Sequence, residues 1–264
     1  MVTGSRFPVF GFSEQRATSN PKKGGHVRIG GVLQPGYLPW LGFFDQVARS
    51  EVFVLLDDVQ YTVNDWRNRN RVKTKNGIRW LTVPVLRKGH LNMLISEARI
   101  KNSEPWQRKH WGTIEHGYSR AKFFGDHADE LRGFYEREWE YLVDLDHELI
   151  YWFADKMGIK TKFLVSSRDL NIETKDKNER LFILCEKIGV DALYVGAAGA
   201  NYMDPEIYAK RGITVIFQDY RHPTYTQLFG EFVPYLSALD LLLNEGPRSL
   251  EIILQGSEDI FGKI

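Results

Sequence analysis

Residues 27–60 read VRIGGVLQPGYLPWLGFFDQVARSEVFVLLDDVQ. A short apolar run, VRIGGVL (27–33), enters a turn that holds two prolines. WLGFFDQVARS (40–50) then places apolar residues at 40, 41, 43, 44, 47 and 48, a spacing that predicts a helix. EVFVLLDD (51–58) is a continuous apolar run ending in two acids, the pattern of a parallel strand buried on both faces. Strand, turn, helix, strand is a βαβ unit, and it calls for a parallel sheet. In such sheets ligands bind beyond the carboxyl ends of the strands. The first turn therefore matters, yet LQPGYLPWLGFF (33–44) contains no His, Ser, Cys or acid. It reads as a wall and not as a reagent. Pro35 and Pro39 stiffen it, Tyr37 and Trp40 supply flat apolar faces, and Gln34 supplies one amide.

The last third of the chain repeats the alternation. KFLVSS (162–167), DALYVG (191–196) and ITVIFQDY (213–220) read as strands. NERLFILCEKIG (178–189), PEIYAKRG (205–212) and SALDLLLNEG (237–246) read as helices. The middle is different. Asn76-Gly77 inside NRNRVKTKNGIRWLTVPV (68–85) signals a hairpin. LISEARI (94–100) suggests a further strand, and EPWQRKHWGTIEHGY (104–118) a helix. Residues 128–158 keep Leu131, Tyr135, Trp139, Leu142, Leu145, Leu149 and Trp152 on one face, which predicts one long amphipathic helix ending at Gly158. The expected architecture is α/β, a mostly parallel sheet with helices on both faces in a Rossmann-like manner. An inserted hairpin and helical layer complete it. Residues 1–25 mix Gly, Ser, Pro, Lys and Arg without periodicity and read as a flexible arm before a single domain over 26–264.

The chain has 264 residues, net charge +1 and 43% hydrophobic residues, as expected of a soluble globular protein. That charge offers nothing to draw nucleic acid or an anionic membrane. No apolar run approaches a membrane span, residues 1–25 carry no signal-peptide pattern, and the lone cysteine, Cys185, excludes an intrachain disulfide framework. A cytoplasmic location fits these features. No histidine spacing suits a metal, and no motif names a cofactor.

Polar residues gather after the expected strands. Gln34 and Tyr37 follow the first. Asp57, Asp58 and Gln60 follow the second, then Arg67, Asn68 and Arg69. Ser166 and Ser167 follow KFLV, Asn201 and Tyr202 follow ALYVG, and His222, Tyr225 and Gln227 follow VIFQDY. Asp57 or Asp58 would orient an amine or act as a base, against the plainer role of ending a strand. Arg67, Arg69, Arg71, Lys73 and Lys75 alternate, so an extended strand would put them on one face. That face suits a phosphate, or is a solvated edge. His222, held by Pro223, is the candidate general base, because imidazole titrates near neutrality. His110, in RKHW, is a weaker candidate for substrate binding.

QPGYLPWLGFF, EVFVLLDDVQY, NRNRVKTKNG, WLTVPV, KHWGTIEHGY, YRHPTYTQLFG and LSALDLLLNEG occur in that order, and together they resemble the WbqC-like family over about residues 28–250. The resemblance implies a bacterial surface-polysaccharide (O-antigen, lipopolysaccharide) setting, and some members are suspected glycine transferases acting on amino sugars. Leu33 stands where the family pattern has a His before Gln-Pro, which moves attention to His222. The opening strand and turn are also similar to nucleotidylyltransferases such as pantothenate synthetase, although LPWLG replaces their HxGH. The expectation is a transferase moving an acyl group, glycyl among them, to the amine of a nucleotide-linked amino sugar. The donor would be an acyl or aminoacyl carrier, or ATP with a free amino acid. A non-catalytic nucleotide- or sugar-binding module and an ATP-dependent ligase are the alternatives.

Overall fold

The computed structural model describes residues 26–63, 65–86, 92–258 and 260. The arm expected over 1–25 lies outside the described residues. Five strands form one parallel sheet: β1 (Ile29–Leu33), β2 (Val52–Leu55), β5 (Lys162–Val165), β6 (Ala192–Val195) and β7 (Thr214–Phe217), in the order β5-β2-β1-β6-β7. All pairs are parallel, with Gly30 opposite Val52 and Leu33 opposite Leu55 at the centre. The chain winds from β1 to one side and later crosses to β6 on the other. The carboxyl ends of β1 and β6 therefore flank the point where winding reverses, the usual ligand position in such sheets.

The apolar run of β2 explains why both faces are covered. Val52 and Val54 pack with Val32 against α5 (Lys177–Ile188). Phe53 and Leu55 turn the other way, into a larger core with α1 (Leu41–Ala48) and α4 (Leu142–Lys156). Side chains alternate along a strand, so an all-apolar strand needs an apolar partner on each side. The α/β architecture expected from residues 27–60 is the one observed. Cys185 lies buried in the α5 layer, where desolvation raises its pKa to about 12.

The insertion holds a separate antiparallel hairpin, β3 (Arg69–Thr74) and β4 (Gly77–Thr82), turning at Asn76-Gly77. α2 (Trp106–Tyr118) and α3 (Phe124–Glu136) follow it. Two expectations are corrected. The strand at 94–100 is a single turn of 3-10 helix, Ile95–Glu97, tied down by isolated bridges from Leu94 to Gln60 and from Ile100 to Val85. The single helix at 128–158 is two, α3 and α4, broken at 137–141. At the break Ile100 N–H donates to Glu140 O, and Leu142 N–H donates to Ala98 O. Trp139 folds back onto Phe134, and its indole N–H donates to the Phe134 carbonyl. Backbone pairing with 98–100 thus outweighs continuation of the helix. The remaining helices are α6 (Pro205–Ala209), α7 (Ala238–Glu245) and α8 (Ser249–Leu254). No helix among the described residues is long and apolar enough to cross a membrane.

Candidate functional site

The turn after β1 is pinned against the strand entering the hairpin. Tyr37 N–H donates to Arg67 O at 3.1 Å, and Arg67 Nη1 donates back to Pro35 O at 2.9 Å. The contact requires Gly36, because a Cβ there would lie 2.7 Å from Trp66 O. Leu38 sits at φ 48° and its carbonyl accepts from Asn70 Nδ2 at 2.7 Å. Left-handed backbone at a branched residue persists only where its surroundings hold it. Trp40 then lays its ring over Gly42, where a Cβ would come within 2.3 Å.

On the outer side of this turn is a cleft of about 320 Å³ lined by Trp40, Trp66, Arg71 and Tyr235. Trp66 and Trp80 are 45% and 48% exposed, with ring centroids 5.5 Å apart. Arg69 lies 4.7 Å over the Trp80 ring, and Arg71 lies 5.9 Å from Trp66 and 5.7 Å from Trp80. The hairpin register produces this, since Arg71 pairs across with Trp80. The expected alternation of β3 holds at Arg69 and Arg71, which face outward, while Asn70 and Val72 are buried.

An irregular strap, residues 218–237, closes the cleft. Arg71 Nη2 donates to Tyr235 O at 2.8 Å, and Ser237 N–H donates to Arg71 O at 3.0 Å. Tyr235 is 49% exposed at φ 58° and lies 6.1 Å from Trp40. His222 sits behind it, 5.2 Å from the Tyr235 ring, among Tyr220, Tyr225 and Phe232. Its Nδ1 lies 3.0 Å from Pro223 O and so carries the proton, and the buried Nε2 has no partner. Burial lowers its pKa from the usual 6.5. The result is a neutral imidazole with an open lone pair.

Other expected site residues are placed elsewhere. Tyr37 does not line the cleft. It is fully buried, its hydroxyl 2.7 Å from Tyr135 Oη and 2.9 Å from His110 Nδ1. His110 also bonds the Thr82 backbone, and burial pushes its pKa down to about 4. Asp57 accepts from Ser167 N–H at 2.9 Å and Ser167 Oγ at 2.7 Å, with Ser166 Oγ 3.0 Å away. Asp58 accepts from Arg180 at 2.6 Å and lies 2.7 Å from Ser166 Oγ. These acids and serines lock the carboxyl ends of β2 and β5 together. Lys73 is buried and donates to Gln227 Oε1 at 3.2 Å and Glu231 O at 2.5 Å. Gln227 in turn donates to Tyr225 Oη and Val233 O. Lys73, Tyr225 and Gln227 thus shape the strap. Gln34 is half-buried and Gln60 exposed. Asn201 and Tyr202 are exposed beyond β6, with no ring contact or hydrogen bond to the cleft.

Sequence reasoning missed Trp66, Trp80 and Tyr235. Counting the register back from Asn76-Gly77 sets Trp80 opposite Arg71, so that signal was present. A cavity of about 560 Å³ lies elsewhere, with Arg120, Lys122 and Arg248 in its wall. Among the described residues no group of three or more His, Cys, Asp or Glu side chains could hold a metal ion.

A family model described as the WbqC-like protein family matches residues 34–252. The chain belongs to the WbqC-like family. Within the family it is similar to the uncharacterized protein Rv1507c of Mycobacterium tuberculosis, 38% identical over 220 residues that cover 83% of this chain and 94% of that one. No solved structure gives a significant match. The WbqC-like match begins at Gln34 and so takes in the turn, the hairpin and the strap that together build the cleft.

Proposed function

We propose that this WbqC-like protein is an N-acyltransferase that moves an acyl group, glycyl among the candidates, to the amine of a nucleotide-linked amino sugar. It would act in the cytoplasm, in bacterial surface-polysaccharide biosynthesis. The support is the juxtaposition of two half-exposed indoles, two outward arginines and a neutral histidine. Indole faces stack on a base or on the C–H face of a sugar. Guanidinium groups at Arg69 and Arg71 suit a diphosphate, which they engage bidentately. As the amine nitrogen bonds to the acyl carbon, it must lose a proton. His222 Nε2 is an unpartnered base behind Tyr235 at the edge of the cleft, and burial lowers its pKa, which keeps it unprotonated at neutral pH. The acyl donor is a carrier-bound ester or thioester, or an acyl phosphate or adenylate made from ATP and a free acid; as the C–N bond forms, the bond from the acyl carbon to the carrier oxygen or sulfur, or to the phosphate oxygen, breaks, and that group leaves.

Purified protein is heated with a nucleotide-linked amino sugar, the bare nucleotide, and ATP. Binding to the folded state adds stability, about 2.7 kcal/mol at a hundredfold excess over Kd, and so raises the midpoint. Stabilisation by the sugar nucleotide beyond that by its nucleotide is expected, and Trp80→Ala should remove it. His222→Ala should keep binding and lose product formation by about 100-fold or more. One feature favours a non-catalytic binding module instead: His222 Nε2 is closed off from solvent by its aromatic neighbours. If His222→Ala binds and turns over like the parent, the base is not His222.

A further inference from the structure

The cavity of about 560 Å³ on the far side of the strap has no part in the acyl-transfer reading, yet it is larger than the cleft. Its size suits a small molecule. The link between α2 and α3 supplies Arg120, Lys122 and Phe123, the strap supplies Leu228, and the turn after α7 supplies Arg248. Along the strap the directions alternate. Tyr225 and Gln227 turn to Asp240 and Lys73, while Thr226 and Leu228 turn to this cavity. No residue of its wall also lines the cleft.

The backbone fixes where the cations stand. Ala121, between Arg120 and Lys122, is buried, and its N–H donates to Tyr118 O at 2.8 Å. Phe123 N–H donates to Leu243 O at 3.0 Å. The Phe123 ring lies on Gly246, at φ 53°, where a Cβ would come within 2.5 Å of it. Arg120 and Lys122 are exposed, and neither forms an ion pair with an acid among the described residues. Glu245 is the one acid among the described residues of the wall, and it is engaged. Its Oε1 accepts from Thr226 N–H at 2.9 Å, and its Oε2 lies 3.5 Å from Arg248 Nη1. Arg248 also lies 3.8 Å from Glu251, outside the wall. Asn244, in the wall and 7% exposed, donates from Nδ2 to Asp240 O at 2.7 Å. Its Oδ1 takes no donor among the described residues.

Three cations and one engaged acid around a single concavity leave a positive field inside it. A guanidinium presents a fork that fits a phosphate, and an ammonium adds a point charge. Phe123 and Leu228 give the same wall an apolar part, and Asn244 Oδ1 is open to one donor. An inorganic ion would use only the first of these features. We propose that this cavity binds an organic phosphate, a phosphate ester whose apolar or aromatic body lies against Phe123 and Leu228 while Arg120, Lys122 and Arg248 hold the phosphate. The inference stands apart from the transfer chemistry, since it uses neither His222 nor the tryptophans.

The test follows the amide spectrum of the 15N-labelled full-length protein near pH 7. Phenyl phosphate is the probe, with inorganic phosphate and phenol as controls. The Asn244 side-chain amide and the Thr226 amide report on the cavity, and the Trp80 indole reports on the cleft. Saturable shifts at Asn244 and Thr226 are expected, with phenyl phosphate binding at least about tenfold tighter than either control. Raising the ionic strength should weaken them, because the cations are exposed. Arg120→Gln combined with Lys122→Gln should weaken binding at least about tenfold at an unchanged melting midpoint. Glu245→Gln keeps an acceptor for Thr226 N–H, removes the opposing charge and should tighten binding severalfold. Trp80→Ala should leave the shifts at Asn244 and Thr226 as they are. Three results would overturn the proposal: shifts confined to Trp80, equal binding by the parent and the doubly substituted protein, or inorganic phosphate binding as tightly as phenyl phosphate. Should the double variant fail to fold, Arg120→Gln alone and the opposite change in Glu245→Gln decide the matter, and no change in either would sink it.

Discussion

At the scale of single residues, Tyr37 shows how a turn without any reagent can still govern a site. The tautomer of His110 follows from its bond to the Thr82 backbone, so Nδ1 is an acceptor and Tyr37 donates to it. Tyr135 then donates to Tyr37. Tyr37→Phe would strand both His110 Nδ1 and the Tyr135 hydroxyl in the core. A loss of about 1–3 kcal/mol is expected, read as a lower urea midpoint at unchanged slope. Tyr135→Phe removes only the head of the chain and should cost less. Equal losses would contradict that donor order. A tyrosine beside two prolines was legible as a rigid feature of the turn. Its inward direction was not, because residues of an irregular turn follow no period, and contacts distant in the chain, Gly36 on Trp66 O and Tyr37 N–H to Arg67 O, hold the turn in place.

Among elements, the strap and the hairpin form one device. Lys73 reaches from β3 to hold Gln227 and Glu231, and Gln227 Oε1 accepts from Val233 N–H at 2.9 Å. Lys73→Met keeps the aliphatic stem and removes both bonds. Hydrogen exchange at the Val233 amide should rise by about tenfold, the equivalent of about 1.4 kcal/mol of local stability. Exchange at the Lys73 amide, which donates to Tyr118 Oη at 3.0 Å, should stay as it was. Uniform acceleration would mean general destabilisation and not a loosened strap. The alternating cations were legible as a face, and Arg69 and Arg71 do share it. Lys73 departs because strap and α2 cover the end of β3, a tertiary event that local alternation cannot foretell. The break between α3 and α4 has the same origin. Its apolar face is continuous in sequence, while the backbone at 140–142 is claimed by residues 98–100.

For the whole molecule, the parallel sheet was legible because buried strands flanked by a Pro-Gly turn and acids leave few alternatives. The pocket was less so, because it joins β1, the hairpin and the strap across nearly 200 positions of chain. That long-range assembly also buries ionisable groups whose effects on stability oppose each other. His110 and His147 are pushed by burial down to about 4. The unfolded chain binds their protons first, so their contribution is present above about pH 6.5 and lost as pH falls through 4. Asp240, 0% exposed in the first turn of α7, moves the other way. Burial raises its pKa to about 6, although Tyr118 and Tyr225 donate to its oxygens and Lys73 lies near. Here the folded state binds the proton first. Its contribution is present below about pH 4 and lost as pH rises through 6. Asp240→Asn leaves both histidines in place and removes only the second effect. Relative to the parent, the variant should therefore gain stability between pH 4 and pH 7, by up to about 3 kcal/mol for a displacement of about two pH units. Urea midpoints of both proteins at pH 5 and pH 7.5 measure the difference. Parallel curves would show that the Asp240 carboxyl already titrates at its ordinary position, and that its two tyrosine bonds fully offset its burial.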